Sequence, residues 1–380
     1  MTEQIIRLSL PETWDGLHTE LIQQALDRLR ETGGEVVLSD GEWHIGSVRL
    51  YSNTTLRLSC GTKLVASADW RDYEDFHVPT TLGYMQSPWV RVAWNLPDHY
   101  IVAPIVAYDA ENVAVIGEPG AIIDGSDCYD PAGEEKFRGP MGMVFSNCRG
   151  VTLKGYTYQN SANWAHQIDS CTGVLMEGVA VLGGHDGINI HHCTGVRIEN
   201  CDFRTGDDCV AGYDAENVVI RNCSFNTSCS NFRFGGRNLL LENCRFWGPG
   251  EYPHRVSGRH NTLCMFEYYA MRYDSCRFNS GNWLIRNCTV DMVDRLFNYR
   301  HGEDWMHENR PLEDVTFENV QITNLLEPAV LKAAFGNPLT LTLKNVSLNW
   351  RQGIPADGMF ITTPEVKMVL DNVKIEGFNG

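Results

Sequence analysis

From Asp109 onward the sequence repeats itself about every 22 residues, and this period restricts the fold more than any other feature. The runs NCRGVTLKGYTYQN, SCTGVLMEGVAVLG, HCTGVRIENCDFRTG and DAENVVIRNCSFNTS are successive copies. Aligned on Val151, Val174, Val196, Val218 and Leu239, they step by 23, 22, 22 and 21 residues by subtraction. Weaker copies, PLTLTLKNVSLN and PEVKMVLDNVKIEG, finish the chain. Each copy reads as two short alternating runs joined by Gly, Asn or Asp, too short to hold a helix. A β unit at a fixed period of this size is the mark of a solenoid. The alternation predicts an all-β chain wound as a parallel β-helix.

Asn-Cys dipeptides hold the same register. Asn200-Cys201, Asn222-Cys223 and Asn243-Cys244 recur at 22 and 21, and Asn287-Cys288 repeats the pair later. Cys148, Cys171 and Cys193 form a second column. Stacked cysteines would pack as an interior ladder, with Asn at bends where it tolerates a left-handed backbone. A metal centre is the competing reading of so many cysteines. It is set aside because a column spreads along the axis instead of converging on a point.

Leu17, Leu21, Ile22, Ala25 and Leu29 make one apolar stripe over residues 17–32, followed by Gly33-Gly34. A helix capping the open end of the stack fits this stripe, and so does an ordinary α/β start. Residues 69–105, 246–278 and 296–310 break the period and are expected to be loop excursions from a single domain spanning 1–380. Excursions from a solenoid tend to gather on the binding face.

Net charge is 31 − 48 = −17, which disfavours nucleic acid as a partner. The same charge disfavours a polyanionic glycan unless local Arg or Lys lines the site. No apolar run reaches membrane-spanning length. The opening residues show no basic-then-apolar leader, and thirteen cysteines is an odd, sparse number. A reduced, cytoplasmic protein is expected; a chain with its leader trimmed would look the same. The oligomeric state is not legible.

The stretch from Gly183 to Cys209 carries Asp186 and the pair Asp207-Asp208. Counting back 15 from Cys201 and Cys223 gives Asp186 and Asp208, so these two should fall at equivalent places on successive coils. Neighbouring strands lie ~4.8 Å apart, close enough to raise the pKa of at least one carboxyl. Asp207 and Asp208 face one way only if the chain bends, which Gly206 permits. A solvated acidic turn, a calcium site and a glycosidase acid–base set are all compatible with this cluster.

Further motifs narrow the choice. Asp15-Gly16, Ala25-Leu26 and Gly33-Gly34 open the chain; GEPGAIIDG spans 117–125; NSANWAHQIDSC spans 160–171; HDGINI spans 185–190; GDDC spans 206–209. Together they resemble the polygalacturonase type of glycoside hydrolase, family 28, over the start to about Phe246. The resemblance implies a right-handed parallel β-helix and hydrolysis with inversion, without metal or organic cofactor. It implies Asp207 as general acid and Asp186 and Asp208 as the bases that hold the attacking water. Two motifs of the family have no match. Cys229-Ser230-Asn231 stands where Gly-His-Gly is expected, and no Arg-Ile-Lys follows Gly236.

The expected substrate is therefore a pectic or related oligosaccharide, uronic-acid or rhamnose-containing, cut from a chain end. Arg233 is a candidate for the missing positive charge, its bland alternative being a surface arginine. Arg255, Arg259, His254 and His260 are rivals from the second excursion. His185 is a candidate substrate contact or a balance to the acids. His166 and Trp164 are candidate cleft-wall residues, His166 with a purely structural alternative. A non-catalytic carbohydrate-binding or structural β-helix and a calcium-dependent polysaccharide lyase are the alternatives.

Overall fold

The computed structural model describes residues 4–11, 13, 16–351 and 358–376. Asp15 of the opening motif lies outside the described residues. The fold is a right-handed parallel β-helix with an N-terminal capping helix, and its contacts cluster into two units, Met1–Asn189 and Ile190–Gly380. Among the described residues no helix is long and apolar enough to cross a membrane.

In the first unit the helix Thr19–Arg28 buries Ile22, Ala25 and Leu26. Gln23 Oε1 accepts the Arg49 N–H at 2.7 Å and Thr19 Oγ1 accepts the Gly46 N–H at 2.8 Å, docking the helix on the first coil. The helix stops short of residue 32, and Gly33 follows at φ +69°. Three columns of strands then stack. Glu111–Gly117, Arg149–Lys154 and Thr172–Glu177 form one, with Val113, Val151 and Val174 in register. Ile122–Asp124, Thr157–Gln159 and Ala180–Gly183 form the second. Ile105–Tyr108, Met143–Ser146 and His166–Asp169 form the third. Each coil thus has three strands where the sequence suggests two runs. Met143–Ser146 and His166–Asp169 are buried at every position, so they show no alternation to read.

Residues 69–104 leave the coil, with two short helices, Gly83–Gln86 and Pro88–Trp94, before the strand at Ile105. Buried Asp169 holds the excursion down: its carboxylate accepts from Thr80 Oγ1 (2.8 Å), the Thr81 N–H (2.7 Å) and Thr81 Oγ1 (2.5 Å).

In the second unit one ladder runs Val196, Val218, Leu239, Trp283, Val315, Leu341, Met368. Its interior is stacked ring on ring. Phe225 lies 5.3 Å from Phe203 and 5.1 Å from Phe246, nearly parallel to both. The Asn-Cys columns are as the spacing predicts. Asn200, Asn222, Asn243 and Asn287 all have φ of 54–57°, and their amides bond from coil to coil. Cys201, Cys223, Cys244 and Cys288 are buried.

Two expected excursions are partly coil. Residues 246–278 contain the strand Thr262–Tyr268, which pairs with Ser230–Glu242 through Ser230↔Cys264 and Phe232↔Phe266. The stretch 296–310 begins inside the strand Val293–Arg300. The insertion on either side of the first strand lengthens the coil and hides its period.

Past that strand, residues 269–279 are pinned by a buried charge network. His192 Nδ1 lies 2.9 Å from Asp214 Oδ2 and its Nε2 3.2 Å from Asp274 Oδ1. Arg277 Nε donates to Asp214 Oδ2 at 2.6 Å. Burial alone would lower the His192 pKa; the hydrogen bonds to Asp214 and Asp274 outweigh it and hold it at about 9. This value lies above that of the unfolded chain, so the stabilisation is complete below about pH 6.5 and is lost as pH rises through about 9. Thermal unfolding between pH 6 and 10 should show the unaltered protein losing on the order of 1–3 kcal/mol relative to His192→Gln. Parallel pH profiles for the two proteins would contradict a charged His192.

Candidate active site

Asp186 belongs to the first unit, in the turn between Ala180–Gly183 and the strand beginning at Ile188. Its main-chain carbonyl accepts the Ala165 N–H at 2.9 Å, and its Oδ2 accepts from Asn189 Nδ2 at 2.9 Å. Beside it His185 is buried, its ring 5.7 Å from that of Phe137.

His166 takes the structural alternative and not the cleft-wall one. It is wholly buried, with Nε2 3.0 Å from the Tyr156 hydroxyl and Nδ1 3.0 Å from the Gly187 carbonyl. Burial lowers its pKa to about 4, against a smaller upward pull from the Gly187 carbonyl. A neutral ring with its proton on Nδ1 satisfies both contacts and ties the Asp186-Gly187 turn to the coil. Both nitrogens are committed inside the stack, so His166 is withdrawn as a substrate contact.

Trp164 is 8% exposed and meets the Tyr100 ring edge-on at 6.0 Å. Tyr100 donates to buried Glu134 Oε2 at 2.9 Å. Burial raises the Glu134 pKa, opposed by Arg138 and by the Tyr100 and Asn163 hydrogen bonds. The Tyr100 phenol is raised too, first by burial, then by the charge of Glu134, with a smaller push from Asp186. Asp186 therefore lies within electrostatic reach of Tyr100, which in turn feels Glu134 and Arg138. Glu134 and Arg138 escaped the sequence reading because they lie in an unrepeated segment with no spacing to mark them.

Asp207 and Asp208 belong to the second unit, between the strands Asp202–Thr205 and Val210–Arg221. The Asp207 carbonyl accepts from the hydroxyls of Thr205 (2.6 Å) and Thr227, which fixes the bend after Gly206. The bend has the predicted result: both carboxylates reach Cys229, so consecutive side chains face one side. Asp208 is the deeper of the two. Its Oδ1 accepts the Ser230 N–H at 3.1 Å and its Oδ2 lies 3.7 Å from Arg233 Nη1. Burial, then the charge of Asp207, raises the Asp208 pKa to about 6 against the pull of Arg233. Asp207 is 8% exposed, and its Oδ1 accepts the Asp208 N–H at 3.1 Å.

The segment that lacks the family's histidine acquires one from a distant loop. Residues 248–261 are moored on the Asn226–Cys229 turn. Asn226 Nδ2 donates to the Pro249 carbonyl at 2.8 Å, and its Oδ1 accepts the Glu251 N–H at 2.7 Å. Gly250 sits so close that a Cβ there would lie 2.2 Å from Ser228 Oγ. The loop brings His254 Nε2 to 3.7 Å from Asp207 Oδ2. Arg259 donates to the Ser228 carbonyl at 3.0 Å and to Cys229 Sγ at 3.4 Å.

Arg233 is no stray surface arginine. Its guanidinium pairs with Asp208 and lies 5.0 Å from the centre of the Tyr269 ring, with 31% of its side chain exposed. Arg255 is exposed on the same loop as His254. His260 Nδ1 lies 2.8 Å from the Gly250 carbonyl, within the loop. Asp207, Cys229 and His254 form the described cluster whose ligand atoms, all within 4.8 Å of one another, could hold a metal ion.

These acids fall inside a recognisable segment. Residues 98–229 match the model of glycosyl hydrolases family 28. That span contains Asp186, Asp207 and Asp208, and the resemblance is to the polygalacturonase type. Among solved structures, the chain is similar to the hyperthermoactive exopolygalacturonase from Thermotoga maritima (TM-score 0.74, 16% identity, covering 99% of this chain and 94% of that one). It is similar to the family 28 exopolygalacturonase of Yersinia enterocolitica (TM-score 0.69, 16% identity, 100% and 76%). It is also similar to PfbA, a surface adhesin of Streptococcus pneumoniae (TM-score 0.67, 15% identity, 96% and 89%). At such identities the likenesses establish the right-handed β-helix. Among curated proteins none matches the sequence.

Proposed function

We propose that the protein hydrolyses glycosidic bonds of pectic or related oligosaccharides, acting from a chain end and inverting the anomeric centre. The observation that carries this reading is the Asp207-Asp208 bend, which turns two consecutive carboxyls to one side under Arg233 and His254. Two carboxyls so placed resist carrying two charges, so the pair gives up its last proton at a higher pH than a lone carboxyl, at about 6 for Asp208.

In this reading Asp207 gives its proton to the leaving glycosidic oxygen as the bond from that oxygen to the anomeric carbon breaks. Asp208 acts as base, a role the family resemblance also gives Asp186: a water attacks the opposite face of the sugar and its proton passes to a carboxylate. Asp207 suits the acid role because it is the more exposed of the pair. Arg233 and Arg259 supply the local positive charge that an acidic sugar needs on a chain of net charge −17. The family 28 match and the two exopolygalacturonases support the substrate class and the end-directed action.

The test is a screen of pectic and other plant oligosaccharides with anomer-resolved NMR of the first products. Inverted anomers released from one chain end are expected; retained anomers or random internal cuts would overturn the assignment. A second reading, a non-catalytic carbohydrate-binding β-helix, draws on the adhesin that shares the fold. It predicts binding without turnover. A calcium-dependent lyase would show unsaturated products and lose activity to chelator.

A further inference from the structure

We propose that Asp207, Cys229 and His254 form a binding site for a soft divalent cation of the Zn²⁺ class, whose occupation silences Asp207. All three residues belong to one unit, and their ligand atoms converge to within 4.8 Å. Asp207 is mostly buried while Cys229 and His254 are half-buried, so an ion has both a way in and partial shielding. The convergence sets this site apart from the cysteine ladder. Of the thirteen cysteines all but Cys60 and Cys229 are buried, and Cys60 is far along the chain in the other unit.

The ligand set selects the ion. A thiolate, an imidazole and one carboxylate suit Zn²⁺, with water as a fourth ligand, and not Mg²⁺ or Ca²⁺, which take oxygen. The charges nearby point the same way. Arg259 lies 3.4 Å from Cys229 Sγ, and Arg233 lies 3.7 Å from Asp208. Two guanidiniums penalise an ion held by charge alone and leave one held by bonding to sulfur. Once Cys229 gives its proton to solvent, two carboxylates and a thiolate outnumber them. Ser257 presents both an N–H (3.2 Å) and a hydroxyl (3.1 Å) to His254 Nδ1. With Nδ1 accepting that N–H, the neutral ring carries its proton on Nε2, so the ring must trade this bond for one to the hydroxyl before Nε2 can bind the ion.

A carboxylate bound to the ion cannot carry the proton that Asp207 is assigned. The inhibitory half of the proposal rests on that assignment; the site itself does not.

Binding is measured with Co²⁺ by absorption and with Zn²⁺ by calorimetry, on the full chain carrying Cys60→Ser to remove the other accessible thiol. One ion per chain and a thiolate-to-cobalt charge-transfer band are expected. Cys229→Ser should abolish the band, and His254→Gln should weaken binding by more than about 10-fold. Absence of the band, or its survival in Cys229→Ser, would overturn the site. Oligosaccharide turnover should fall in step with occupancy and return with chelator. Full occupancy with undiminished turnover would uphold the site and contradict Asp207 as the acid.

Discussion

Asp207→Asn is expected to lower kcat by about 10²–10⁴-fold, the range a general acid contributes, with KM and folding little changed. The amide keeps the oxygen that accepts the Asp208 N–H, so the bend survives. It has no proton acidic enough to donate to a departing sugar oxygen. An aryl glycoside with an acidic leaving group departs without that proton, so the loss should shrink on such a substrate. That contrast separates proton donation from a structural defect, which would slow both substrates alike. An Asp207→Asn protein within 10-fold of the parent on the natural oligosaccharide would place the acid elsewhere. One that still binds the oligosaccharide but never turned it over in the parent form would favour the binding-module reading.

Asp208→Asn should do two things at once: cut kcat by about 10²–10⁴-fold and stabilise the fold at neutral pH. The Asp208 carboxyl ionises at about 6 in the folded chain, above its ordinary 3.8. Between these values the folded state binds the proton more tightly than the unfolded state, so stability falls as pH rises. Above about 6 the full cost of the buried charge is present, up to about 3 kcal/mol. The asparagine carries no charge and can still accept the Ser230 N–H, while Arg233 loses its partner, which trims the gain. Melting temperatures across pH 4–8 should show the two proteins converging near pH 4 and the variant ahead at pH 7. A difference that does not vary with pH would mean that Asp208 carries no buried charge.

The repeat was legible because its anchors point inward. Val151, Val174, Val196, Val218 and Leu239 are buried between less buried neighbours, with Val151 paired to Val174 and Val218 paired to both Val196 and Leu239. The third strand of each coil was not, since a strand such as His166–Asp169 mixes polar residues into full burial. The same mixture misplaced His166, whose polarity suggests a cleft wall although its partners are Tyr156 and a backbone carbonyl. Within the second unit, the bend at Asp207 followed from Gly206, whereas the two threonines that hold it carried no motif. His254 could not be placed by spacing at all. It reaches Asp207 only because Asn226 and Ser228 anchor a loop that has no period of its own. Arg233, read against a surface alternative, is set by its pairing with Asp208 and Tyr269.

The most direct test is a crystal structure of Asp207→Asn bound to an intact oligosaccharide from the screen. The account predicts the scissile glycosidic oxygen within ~3.2 Å of the residue 207 side chain, and a water on the opposite face of the sugar held by Asp208. Sugar bound away from residue 207, or an Asp208 carboxyl that holds no such water, would contradict it.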